Sequence, residues 1–418
     1  MKRILFYITL LILMVPLLVG ITHVYTEKPL DGAFINEPKR TFKYFMWERW
    51  FNDTFQVAME KSASQNTGFR NTLIRMYNQI NYSLFKKTNA EKTIVGKDNY
   101  LFEEGYIVDY LGCNFMGEKF IFENSQRMKT IQDSLLGKFG IHLLFVFEPG
   151  KASIYPEKIG NEYFPETKTK SNYEQYSIIF NKLKINYLDL NAYFKTLKDT
   201  SQYPIYPATG VHWSTFGMHL AADTLLRFIK SETSFDLSLL HWDTITYSST
   251  LKDIDFDLEK PMNLLFQIPH QTLAYPKISI DTVGKFRPKV LTIADSYYWS
   301  IYDHKIPHYA FSSNDFWYYN NTIYPNIWGE NADYVISTNY AETIKEQDVI
   351  LVMITEANMY RAFWKIEDRF EDVLNIKFKS SKHYQKVQKI MFNDIYYNAL
   401  LEYTRLRFIP FNEALEKI

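Results

Sequence analysis

Apolar and polar positions follow a few distinct rhythms along this chain. Behind Met1-Lys2-Arg3 comes an uncharged run from Ile4 to Ile21. At 1.5 Å per residue it approaches the thickness of a bilayer core and predicts a membrane helix. Between Thr41 and Phe85 the spacing becomes helical: Phe51, Phe55, Ala58 and Met59, then Leu73, Ile74, Tyr77, Ile80 and Leu84. This predicts two amphipathic helices, broken near Asn66-Thr67-Gly68. Next, Thr93-Ile94-Val95 and Tyr100-Leu101-Phe102 flank Gly96-Lys97-Asp98-Asn99, a β-hairpin by its turn chemistry.

From there strand and helix patterns alternate. Phe122 to Phe139 reads as helix, Ile141 to Phe147 as strand, Tyr173 to Leu183 as helix, Tyr187 to Leu190 as a short strand, and Gly217 to Ile229 as helix. The pattern resumes with the strand Val290 to Ala294, a strand-like Tyr334-Val335-Ile336 within 332–338, the helix Tyr340 to Glu346 and the strand Asp348 to Ile354. Runs such as Ile141 to Phe147 are apolar on both faces, as in a parallel sheet covered by helices, so the fold class is α/β. Ser231 to Lys285 interrupts the rhythm as an insertion with some β structure, and Lys379 to Ile418 predicts two short helices. The expected organisation is an anchor over 1–25, a linker and helices over 26–90, the α/β domain over 91–378, and C-terminal helices over 379–418. Within it Glu27 to Arg40, with Pro29, Gly32 and Pro38, reads as the linker leaving the membrane.

Charge adds an address and removes one class of partner. Lys2 and Arg3 hold the start in the cytoplasm, so the chain beyond Tyr25 is exported. No clean small-x-small cleavage pattern is present and no cysteine comes after the run to take a lipid. An uncleaved anchor is preferred over a cleaved signal peptide. Lys+Arg and Asp+Glu are both 47 across the 418 residues, so no net field points to nucleic acid. Aromatics make up 17%, which suits clefts that grip sugar rings. Cys113 is the only cysteine, so this exported chain gains no internal disulfide and depends on packing.

The candidate chemistry lies where the strand Val290 to Ala294 stops at Asp295-Ser296. Ligands in open α/β sheets sit beyond the carboxyl ends of strands, which makes Ser296 a candidate nucleophile. Taken alone, the same pair suits a helix cap better than a nucleophile. One histidine has a comparable setting: His212, in Ala208-Thr209-Gly210-Val211-His212-Trp213-Ser214, just before a helix. Its imidazole there can serve as general base, or it is a loop histidine bonded to its own backbone. Lys151, in Glu148-Pro149-Gly150-Lys151, comes after a strand end and is a candidate contact for an anionic substrate group, or a solvated loop lysine. Trp213 either packs beneath the histidine loop or stacks on a sugar. His304 and His308 are four apart, but Pro307 between them argues against a helical zinc pair. There is no glycine-rich phosphate loop, and no metal or cofactor is expected.

Ala294-Asp295-Ser296 resembles the nucleophile block of SGNH hydrolases. His212-Trp213 resembles the Asp-x-His-Trp block of one branch, the alginate O-acetyltransferase proteins of the AlgX/AlgJ kind, in which the histidine block precedes the serine block. That circularly permuted order is present here. Pro29-Leu30-Asp31-Gly32, Gly68-Phe69-Arg70, the turn at Gly96 and Glu148-Pro149-Gly150-Lys151 with Tyr155-Pro156-Glu157 extend the likeness over Lys28 to Arg369. It implies a three-layer α/β/α SGNH-like domain and an oxyanion site near Ile354-Thr355-Glu356-Ala357-Asn358, with Asn358 as amide donor alongside the Ser296 N–H. Where the family has an acid two residues before the histidine, this chain has Gly210. Asp295, Glu356 or a backbone carbonyl would then orient the imidazole, Asp295 being the poorest substitute.

The implied function is a single-pass, membrane-anchored, periplasmic O-acetyltransferase acting on a cell-surface polysaccharide. Ser296 carries the acyl group, His212 moves the proton, Asn358 and Glu356 assist, and Trp213, Lys151 and Asp295 contact substrate. An exported enzyme lacks cytoplasmic acetyl donors, so the resemblance also implies a polytopic membrane acyltransferase partner. A carbohydrate esterase with the same residues and a silent polysaccharide-binding scaffold of an export complex are the alternatives.

Overall fold

The computed structural model describes residues 2–22, 24–32, 45–163, 168–252, 254–324 and 333–417. Residues 33–40 of the expected linker, 41–44 at the head of the expected helices, residue 253 of the insertion, Ala332 and Ile418 lie outside them. The described chain divides into two compact units, Met1–Val95 with Asp257–Pro269, and Gly96–Phe256 with His270–Ile418.

The first unit opens with α1 (Lys2–Thr22), followed by α2 (Trp47–Phe51), α3 (Thr54–Asn66), α4 (Arg70–Phe85) and the short strand β1 (Thr93–Val95). Among the described residues, Lys2–Gly20 is the one helix long and apolar enough to cross a membrane, and none of it is buried. The break between α3 and α4 falls at Thr67 to Phe69, where Gly68 was expected to interrupt the pattern.

The second unit begins with β2 (Leu101–Glu103), α5 (Glu104–Tyr110), α6 (Glu118–Phe139), β3 (His142–Glu148), α7 (Lys151–Ile154), α8 (Asn172–Leu183), β4 (Tyr187–Asp189) and α9 (Leu190–Leu197). It continues with α10 (Thr215–Thr233), β5 (Leu240–Ser248), β6 (Leu273–Ile280), β7 (Lys289–Ala294), α11 (Tyr298–Asp303), α12 (Ile306–Ala310), β8 (Ser313–Tyr318) and β9 (Thr322–Tyr324). It closes with β10 (Asp333–Tyr334), α13 (Tyr340–Lys345), β11 (Val349–Thr355), α14 (Ile366–Leu374), α15 (Lys382–Met391), α16 (Asp394–Arg407) and α17 (Phe411–Lys417).

Seven strands form the central sheet in the order β10-β9-β8-β7-β11-β3-β4. The five from β8 to β4 run parallel, and β9 and β10 add an antiparallel edge. The three middle strands are those with apolar runs, broken in β7 only by the buried Thr292, and both of their faces are covered. On one face Leu143, Phe145 and Phe147 of β3 and Ile350, Val352 and Ile354 of β11 share a core with α6, α8 and the C-terminal helices α15 to α17. On the other face Leu144, Val146, Leu351 and Met353 are fully buried as well. The result is a three-layer α/β/α arrangement.

Three details differ from the sequence expectation. β8 and β9 were not anticipated, because Phe316-Trp317-Tyr318 follows polar residues and lacks a clean period-two alternation. The stretch at Tyr334-Val335-Ile336 keeps only two residues of strand before a 3-10 turn over Val335–Ser337. The C-terminal region holds three helices instead of two, packed into the main core. The insertion carries the antiparallel pair β5–β6, bulged between Trp242 and Thr244.

Candidate active site

Parallel register places three carboxyl ends side by side. β11 lies between β7 and β3, pairing Met353 with Ala294 and Thr355 with Glu148. Glu148, Asp295-Ser296 and Thr355 to Asn358 therefore share one edge. The loop before α10, whose N-cap Ser214 accepts from the Gly217 N–H at 3.1 Å, carries His212 to the same edge. His212 Nε2 lies 3.0 Å from Ser296 Oγ, although 84 residues separate them in sequence. Both are half-buried. That is within the reach a general base needs to take the serine proton.

Bonds from Tyr297, Trp213 and Lys151 hold the histidine loop. The Tyr297 hydroxyl donates to the Val211 carbonyl at 2.9 Å, and the Tyr297 ring packs against the imidazole with centroids 4.9 Å apart. Trp213 Nε1 donates to Ser300 Oγ at 2.7 Å. Lys151 Nζ donates to the carbonyls of Gly210 at 2.7 Å and of Ala208 and Leu101 at 2.8 Å each. These bonds correct two expected substrate contacts. Lys151 is 1% exposed and spends its ammonium on backbone carbonyls, so it ties the loop instead of meeting an anionic polymer. Trp213 is fully buried, with its indole packed on Tyr297 at 5.0 Å beneath the histidine loop, at the wall of the cavity.

Asp295 also does different work from that expected. Its Oδ1 accepts from the Tyr297 N–H at 3.1 Å, and its Oδ2 accepts from the Thr355 N–H at 2.8 Å, the Thr355 hydroxyl at 2.7 Å and Asn358 Nδ2 at 2.9 Å. It clamps the end of β7 to the end of β11, and its bonds do not lead to substrate. Asn358, expected as oxyanion donor, directs its amide at Asp295 and Thr355. Glu356, expected to assist the histidine, is buried and accepts from Asn191 Nδ2 at 2.9 Å; burial raises its pKa. Its carboxylate belongs to a polar cluster with Asn191 and Ser153.

Glu148 lies beneath this edge. Burial, and then the Asp295 carboxylate beside it, push its pKa well above the usual range. Among the described residues neither of its carboxyl oxygens has a hydrogen-bond partner.

At Gly210, where the resemblance led us to expect an acid, there is no room for a side chain. A Cβ there would lie 2.7 Å from the Ile254 carbonyl oxygen and 2.9 Å from Pro207 Cγ. The segment at Ile254 and Asp255 fills the space an acidic side chain would need.

Tyr319 was not anticipated. Its hydroxyl lies beside the Ser296 side chain, and burial keeps its pKa far above the ordinary phenol value, so it remains a donor. It reaches the site through the tight turn after β8, where it has φ 52° and its N–H donates to the Ala294 carbonyl at 2.9 Å. An apolar run ending in Tyr-Tyr-Asn-Asn was the available signal. In front of the serine is a cavity of about 540 Å³ lined by His212, Ser296, Met218, Trp299, Asp303 and His304 among others.

Residues 93–240 match the family model described as SGNH hydrolase-like domain, acetyltransferase AlgX. The match includes His212 and the turn at Glu148, and it stops short of Ser296. No curated protein matches the chain. The chain is similar to the O-acetyltransferase domain of Pseudomonas putida AlgJ at 16% identity, covering 68% of this chain and 98% of that one, with TM-score 0.42. It is similar to Pseudomonas aeruginosa AlgX at 14% identity over 67% of each chain, TM-score 0.44. Bacillus cereus PatB1 with a sulfonyl adduct is 11% identical, covering 67% of this chain and 98% of that one, TM-score 0.43. Over residues 93–240 the α/β domain of this chain is therefore similar to the SGNH hydrolase-like domain of the acetyltransferase AlgX.

Proposed function

We propose that this protein is a membrane-anchored, extracytoplasmic O-acetyltransferase that acetylates a cell-surface polysaccharide through a serine acyl-enzyme. The observation that carries the proposal is the 3.0 Å approach of His212 Nε2 to Ser296 Oγ at the mouth of a cavity. Ser296 Oγ attacks the acetyl carbonyl carbon of the donor while His212 takes the hydroxyl proton. The oxyanion draws on the Ser296 N–H and the Tyr319 hydroxyl in place of Asn358. Collapse breaks the bond to the donor's leaving group, which receives the proton from His212. A sugar hydroxyl then attacks the acetyl-serine, His212 accepts its proton, and collapse returns that proton to Ser296 and leaves the acetyl ester on the polymer.

The apolar helix Lys2–Gly20, which opens on the cations Lys2 and Arg3, supports the anchored, exported placement. An acyl donor must then cross the membrane, and a polytopic acyltransferase is the partner proposed to pass it. The test is turnover of a chromogenic acetyl ester with and without oligosaccharide acceptors. Acetylated oligosaccharide that disappears in Ser296→Ala supports the proposal; acetate release alone, unaffected by acceptors, assigns an esterase instead.

A further inference from the structure

Helix α4 turns its apolar side outward. Its buried side holds Tyr82 and two strongly polar side chains: Arg75 donates to the carbonyls of Lys28 at 3.0 Å and Pro29 at 2.7 Å, and Asn78 donates to the Met262 carbonyl at 2.8 Å. Opposite them Leu73 (52% exposed), Tyr77 (61%), Ile80 (51%) and Leu84 (71%) form one stripe at i, i+4, i+7 and i+11, with Met76 beside it. A helix of a soluble domain does the reverse, and a contiguous exposed apolar stripe marks an interaction surface.

The occupant is indicated by what the head of α4 touches. The Gly68 N–H, two residues before α4, donates to the Pro16 carbonyl of α1 at 2.9 Å. The approach is so close that a Cβ at Gly68 would lie 2.6 Å from Val19 Cβ, and one at Gly20 would lie 2.5 Å from the Asn66 carbonyl oxygen. The corner between α3 and α4 is therefore packed on the last turns of the apolar helix, where a spanning helix leaves the hydrocarbon. Arg70 opens α4 and Lys86-Lys87 follow it, cations suited to lipid phosphates at either end of the stripe. Packing between spanning helices favours small residues; this stripe is Leu, Met, Tyr, Ile and Leu, which suits acyl chains better than another helix.

We infer that α4 is an interfacial helix, lying in the headgroup layer with Leu73, Tyr77, Ile80 and Leu84 in the lipid. The inference rests on reading α1 as a membrane anchor. The test uses the full chain with Cys113→Ser and a single environment-sensitive label on Ile80→Cys or Leu84→Cys. An exposed position of α8, Lys182→Cys, gives the aqueous reference. Each protein is reconstituted in phosphatidylcholine–phosphatidylglycerol vesicles with or without brominated acyl chains, and vesicle flotation is read first. Co-flotation with blue-shifted emission at 80 and 84, quenched several-fold more than at 182, is the expected result. Co-flotation with labels at 80 and 84 as water-exposed as that at 182 overturns the interfacial helix and leaves the anchor standing. Failure to float overturns the anchor and the inference together.

Discussion

Lys151 Nζ donates to the Gly210 carbonyl at 2.7 Å, two residues before His212, and so ties the turn after one central strand to the loop that bears the base. Replacing it leaves three carbonyls without a cationic donor. Lys151→Met is expected to cost about 3–5 kcal/mol of stability, in the range for breaking a buried charged network. Turnover should fall roughly 100-fold as the base loses its position. Urea midpoints and kcat with KM check both parts; an unchanged kcat would mean that the loop holds its shape without the lysine.

Tyr319 takes the place of Asn358 as the proposed side-chain oxyanion donor. Tyr319→Phe should lower kcat by roughly 10–100-fold with little change in KM, since a donor used only in the transition state is lost. Asn358→Ala should act mainly on stability, by about 1–3 kcal/mol, because its amide serves the buried Asp295. The opposite pattern in paired kinetic and denaturation measurements would return the role to Asn358.

Glu148 gives a pH dependence of defined sign. Its folded pKa is raised, so its stabilising contribution is full below the unfolded carboxyl value near 4.5 and is lost as pH rises through the folded value. Glu148→Gln keeps a neutral side chain at every pH. The stability of the native protein relative to Glu148→Gln should therefore decline from acid towards alkaline pH. A pH series of denaturation midpoints for the pair checks it, and a difference that stays flat would show that Glu148 titrates normally.

Restoring the family's acid should not help. In Gly210→Asp the new Cβ would press on the Ile254 carbonyl at 2.7 Å, so the variant is expected to lose about 1–3 kcal/mol and gain no activity. A rise in kcat/KM would show that the loop can yield and that an acid at 210 can orient His212.

The sheet was legible where local pattern decides structure. β3 and β11 hold long apolar runs, and β7 one broken only by the buried Thr292, because both faces are covered, and the loop before α10 carried its own N-cap. The pairing of Ser296 with His212 came from family likeness, since nothing local links residues 84 apart. The roles of Lys151, Asp295 and Tyr319 were not legible, because each depends on which carbonyl, amide or hydroxyl the fold brings to it. The helical spacing of α4 was legible, but periodicity does not say which face points inward, and Arg75, Asn78 and Tyr82 proved to be the buried side.

Whether Ser296 is a nucleophile activated by His212 is tested most directly by labelling with a fluorophosphonate, read by intact mass and peptide mapping. One adduct is expected, on Ser296, absent in Ser296→Ala and forming far more slowly in His212→Ala. An unmodified Ser296 in folded protein, or labelling at the same rate without His212, would contradict that role.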